Sequence, residues 1–130
     1  MPDKVDYWLD LADDDVSVAE MLLNGKKYLY AGFFCHLIVE KAIKAIVANV
    51  TSEAPPKIHR LKKLALAGKI FDILSEDQLE LLDELDPLNI EGRYPEYKTN
   101  IEMKLNHEYC TELLKRVEDF LCWTKQWLGK

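Results

Sequence analysis

Disulfide chemistry has little to work with in this chain. It holds three cysteines, Cys35, Cys110 and Cys122, an odd set with no CxxC and no paired spacing, which excludes a stapled scaffold or a zinc ribbon. All three are expected as reduced core or near-core residues of a cytoplasmic protein, because a free thiol in an apolar run behaves as a small hydrophobe. Long apolar runs are missing too. The longest near-apolar stretch, around Tyr28–Val39, is too short and too polar to span a bilayer, and the start, MPDKVDYWLD, carries charge from its third residue and no apolar signal region.

Excess positive charge is absent. Seventeen Lys and Arg against 23 Asp and Glu give a formal charge of −6, the wrong sign for a general nucleic-acid binder, although a local basic patch is compatible with it. The histidines His36, His59 and His107 are dispersed, with no HxxxH, HxH or Cys/His cluster, so no metal is expected. The five glycines form no P-loop or Rossmann pattern, so any nucleotide is held without the usual phosphate cradle and no cofactor is implied. Cys35 and His36 are adjacent, and neighbours on a helix diverge by about 100°, which argues against a Cys–His nucleophile.

What remains is helix. The 130 residues are 48% hydrophobic, enough for one core without staples, and 1–130 reads as a single domain. Val5, Trp8, Leu9, Ala12, Val16, Ala19 and Leu23 step at three and four and predict a helix from about Asp3 to Leu23. Asp3 is its expected cap, and Asn24-Gly25 supplies a left-handed end. The Asp13-Asp14-Asp15 run lies mostly off that stripe and reads as a solvated face. A second helix, about Leu29 to Ala48, is apolar on more than one side and should be the central one. Pro55 and Pro56 break the chain, HRLKKLALAG reads as a short helix closed by Gly68, and Ser75 opens SEDQLELLDELDP, which Asp86-Pro87 stops. From Leu88 to about Lys104 periodicity fails, and a long functional loop is expected. A last amphipathic helix runs from about Asn106 to Leu128, with Tyr109, Leu113, Val117, Phe120, Leu121 and Trp127 inward. The expected fold is an all-α, five-helix up-and-down bundle with three long and two short helices. A second helix so apolar all round also suggests a homodimer to cover it.

The polar residues that interrupt this pattern are the candidates for chemistry. His36, Glu40 and Lys44 follow i, i+4, i+8 on the second helix, with Lys41 beside them, and a charge there must pair, reach solvent or line a site. A purely structural ion pair, Glu40 with a Lys or Arg of another helix (Arg93 among them), explains them equally well. His59 stands at the mouth of the third helix, where a simple cap or surface role competes. Arg93, Tyr94 and Tyr97 in the long segment offer a planar fork for phosphate or carboxylate and two aromatic faces, with Lys98 alongside.

The order of these elements resembles the HEPN family (higher eukaryotes and prokaryotes nucleotide-binding). FFCHLIVEKAIKAIVAN is similar to its His…Glu-Lys-x-x-Lys-Ala helix, IHRLKKL to its His-led short helix, and RYPEY to the Arg-Tyr-Pro element before its last helix. Trp8, Ala12 and Tyr28 fit the opening pattern, and the likeness covers about Lys4 to Trp127. The resemblance implies a five-helix bundle that usually dimerises and often pairs with a small nucleotidyltransferase in toxin–antitoxin-like systems. Many relatives are metal-independent RNases whose Arg is followed four to six residues later by His. Here the ten positions after Arg93 hold no His, the fifth being Lys98, and His107 is fourteen away.

That departure weakens the RNase expectation, leaving Arg93 with His36, His59 or Lys98 as a non-standard catalytic set. The favoured expectation is a binding module in which His36, Glu40, Lys41, Lys44, His59, Arg93, Tyr94 and Tyr97 line a groove for a nucleotide or a partner's loop. A dimeric bundle with a wholly structural polar set is the third possibility.

Overall fold

A computed structural model describes residues 3–130; Met1 and Pro2, which the sequence assigns to the same domain, lie outside it. Six α-helices follow one another: α1 (Lys4–Asn24), α2 (Tyr28–Val50), α3 (Leu61–Ala67), α4 (Glu76–Leu85), α5 (Pro95–Glu102) and α6 (His107–Trp127). Short 3-10 turns at Phe71–Ile73 and Asp86–Leu88 join them, and no strand occurs among the described residues. No helix among them is long and apolar enough to cross a membrane.

Local chemistry sets the ends. The Asp3 carboxylate accepts from the Val5 amide at 2.9 Å, satisfying one of the orphan donors of a helix start. Ser75 and Gln78 form a reciprocal capping box at α4. Asn106 caps α6 through the Tyr109 amide. At the end of α1 the left-handed residue is Lys26, φ 61°, rather than Asn24 or Gly25. Gly68 ends α3 for a different reason: a Cβ there would stand 3.1 Å from Ile46 Cγ2, so the glycine lets α3 close down on α2.

The central helix is α2, as its composition demands. It packs along α1 and against α3, α4, α5 and α6, and Ile38, Val39, Ala42, Ile43, Ala45 and Ile46 are wholly buried. Each of the larger of these side chains contributes about 1.5–3 kcal/mol of transfer free energy. One chain therefore buries these six positions unaided, while Tyr30, Phe33, Phe34 and Leu37 on the same helix remain partly uncovered. The α1 stripe turns inward through Val5, Leu9, Ala12, Ala19 and Leu23, and α6 through Leu113, Val117, Phe120 and Leu121.

Three expectations are corrected. The long loop between Leu88 and Lys104 holds the eight-residue helix α5, giving six helices where five were expected. Pro95 begins it at a first-turn position, where a missing N–H costs nothing, and Tyr97 and Ile101 are its apolar contribution at i, i+4, a face too narrow for periodicity to reveal. Trp127 is half exposed and stacks on Trp123 with ring centroids 5.9 Å apart; the buried α6 position there is Thr124, whose hydroxyl donates to the Phe120 carbonyl. Cys122 is exposed, whereas Cys35 and Cys110 are buried. Burial pushes the Cys35 thiol up to about 12 and the Cys110 thiol up to about 11, so neither ionises near neutrality.

A candidate anion-binding cleft beside a buried carboxylate

The polar set of α2 is assembled around Glu40. This carboxylate is 4% exposed, and isolated there it would be prohibitively costly. Lys44, one turn on, donates to Oε2 at 3.3 Å, and the Lys44 ammonium also lies over the Trp8 ring of α1 at 5.3 Å. The second oxygen, Oε1, faces His59 Nδ1 at 3.0 Å. A carboxylate only accepts, so Nδ1 carries the proton and donates.

His36 completes the cluster from below. Its ring is fully buried, and Nε2 donates to the His59 backbone carbonyl at 3.1 Å, pinning the residue that Glu40 holds by its side chain. Burial pulls the His36 pKa below the ordinary imidazole value, against the opposing pull of Glu40 and of the His59 carbonyl. The neutral ring leaves Nδ1 without a hydrogen-bond partner, 3.9 Å from Glu40 Oε1.

The outer face of this cluster opens on a cleft. His59, Arg60, Asp86, Pro87, Asn89, Arg93 and Tyr97 line a space of about 310 Å³. Its two sides are tied together: the Asp86 carboxylate accepts from the Leu61 amide at 3.1 Å, capping α3 from the far end of α4. Tyr97 donates its hydroxyl to the Pro87 carbonyl at 2.6 Å, and the Arg93 guanidinium stacks over the Tyr97 ring at 4.6 Å. Arg93 makes no bond to Glu40; its Nε reaches the Asn89 carbonyl at 3.5 Å. The guanidinium keeps most of its donors available.

The sequence-predicted residues thus divide. His36, Glu40, Lys44 and His59 form one network, and His59, Arg93 and Tyr97 share one cleft. Lys41 lies apart, paired with Asp15 of α1, which is buried rather than on the solvated face with Asp13 and Asp14. Tyr94 is 80% exposed at the N-cap of α5, and Lys98 lies on α5; neither lines the cleft. His107 packs edge-on against Tyr28 at the start of α6. Sequence reasoning misses Arg60, Asp86 and Asn89. Arg60 directly follows His59, and that adjacency outside a helix is the available signal. Among the described residues no group of three or more His, Cys, Asp or Glu is placed to hold a metal.

Comparison with known proteins settles the family. The HEPN domain family model matches residues 5–127. The chain belongs to the HEPN family. Among solved structures, TT1696 from Thermus thermophilus is similar over 96% of this chain and 98% of that one, with a TM-score of 0.78 and 21% identity. At that identity the likeness of this HEPN domain to TT1696 establishes the shared fold alone. No curated protein matches the sequence.

Proposed function

We propose that this HEPN chain is a binding module whose cleft takes the phosphate of a nucleotide, and that it works beside a small nucleotidyltransferase in a toxin–antitoxin-like pair. One observation carries the ligand half. In a chain of net charge −6, Arg60, Arg93 and His59 line a single cleft of about 310 Å³, where the one carboxylate, Asp86, is engaged by the Leu61 amide. Arginine forks suit phosphate oxygens, the volume falls at the small end of ligand sites, and Tyr97 adds an aromatic wall. The nucleotidyltransferase half rests on family membership. Titration calorimetry with ATP, GTP, AMP and GMP should give saturable heat with at least one of them; flat traces with all four on folded protein leave only the partner reading, for which co-expression and pull-down with a neighbouring nucleotidyltransferase is the test.

A second reading, a metal-independent RNase with a non-standard site, is favoured by the Glu40–His59 hydrogen bond beside Arg93. A base held by a carboxylate next to a phosphate-binding fork is what such cleavage needs. Labelled RNA cut by the purified chain and left intact by Arg93→Ala supports it; equal cutting by both excludes it. A homodimer is also proposed, through the α2 surface where Tyr30 is 49% exposed and Phe33, Phe34 and Leu37 are half-buried. These positions cluster on the outer side of the helix. Sedimentation should show a two-chain species, and a strict monomer at high concentration removes it.

A further inference from the structure

We infer that the cleft takes up an oxyanion only together with a proton, which His59 acquires because Glu40 already commits its Nδ1. This rests on the phosphate-site reading above and adds the rule by which the site fills and empties.

Donors and acceptors decide the tautomer. A neutral imidazole has one N–H and one lone pair. Glu40 Oε1, at 3.0 Å from Nδ1, fixes the N–H on that side, and the lone pair therefore sits on Nε2. The opposite tautomer would set two acceptors face to face at that distance, beside a buried carboxylate. His59 has its side chain 54% exposed and is part of the cleft wall. No described protein group bonds Nε2. An incoming phosphate or sulfate presents acceptors only, so a neutral His59 meets it lone pair to lone pair. A proton on Nε2 converts that repulsion into a charge-assisted hydrogen bond while Glu40 keeps Nδ1–H.

The surrounding charges agree with this assignment. From α2, Glu40 faces His59 and Lys44 neutralises the far oxygen of Glu40, while His36 is buried and neutral below it. Arg60 adjoins it in sequence. From the turn after α4 comes Asp86, one of whose oxygens is engaged by the Leu61 amide. Arg93 closes the wall beside Tyr97. With one proton bound per anion, affinity should fall about tenfold per pH unit once the free imidazole is neutral.

Sulfate is the probe, because its own charge stays constant from about pH 5 to 8, so a pH dependence of its binding belongs to the protein. Calorimetry at constant ionic strength, in buffers of different ionisation enthalpy, reads affinity and proton uptake together. The expected result is close to one proton taken up per sulfate at the alkaline end of that range, with affinity falling roughly tenfold per pH unit there. His59→Gln, whose amide N–H is available at any pH, should bind sulfate with a flat pH profile and no proton uptake; circular dichroism checks that it folds. Sulfate binding by the natural chain that is equal at both ends of that range overturns the proton coupling and leaves the phosphate site standing. Failure to bind sulfate or AMP even at the acid end overturns the site itself, and the coupling with it.

Discussion

Replacing Glu40 with alanine should destabilise the fold by about 3–5 kcal/mol, the usual cost of removing one member of a buried ion pair. The loss does not come from the missing carboxylate's own contacts alone. It leaves the Lys44 ammonium, 8% exposed, with only the Trp8 face for company, and it strips His59 Nδ1 of its acceptor. Glu40→Gln keeps shape and one acceptor and should cost clearly less. Because the penalty is that of an orphaned charge, Glu40→Leu combined with Lys44→Met should recover most of the stability lost by Glu40→Ala. Urea denaturation with an unchanged slope measures each step. A Glu40→Ala protein within about 1 kcal/mol of the natural one would show the carboxylate to be dispensable to the core and the cluster to be held otherwise.

Arg93→Ala should weaken phosphate binding roughly 10- to 100-fold, the range set by hydrogen bonds to a charged group at about 1.5–3 kcal/mol. Its effect on stability should be small, because the guanidinium is exposed and its contacts are one long bond to Asn89 and the stack on Tyr97. Arg93→Lys separates charge from shape. It retains the cation but loses the planar fork and the stacking surface, so it should fall between the natural chain and alanine. Titration of AMP into the three proteins at about pH 6, where an ordinary imidazole is largely protonated, reads the order directly. An Arg93→Ala protein that binds AMP as tightly as the natural one would place any nucleotide elsewhere.

The long helices are legible in the sequence because their signals are redundant. In α1 the stripe from Val5 to Leu23, the Asp3 cap and the closing Gly25 agree, and the Ser75–Gln78 box announces α4 in four residues. Helix α5 is not legible: Tyr97 and Ile101 are all the apolar face it has, and the helix exists because those two side chains find the core. Trp127 shows the converse, a large apolar residue near the inner stripe that ends half exposed because Thr124 and Leu128 take the inward positions on either side of it. At the site, spacing on one helix identifies His36, Glu40 and Lys44, since i, i+4, i+8 is a local property. The His59 hydrogen bond to Glu40 spans 19 residues, and Asp86 reaches Leu61 across 25. Such long-range meetings depend on how α3 and α4 dock. Spacing likewise cannot reveal that Lys41 turns to Asp15.

The hydrogen bond from the Leu61 amide to Asp86 acts as a clasp on the segment that carries α3 and α4. Arg60 and Pro87 sit immediately beside its two ends, so the walls of the cleft are fixed relative to one another before anything arrives. A visiting molecule then loses little of its binding free energy to ordering the protein, and even a small anion with few atoms to offer can be retained.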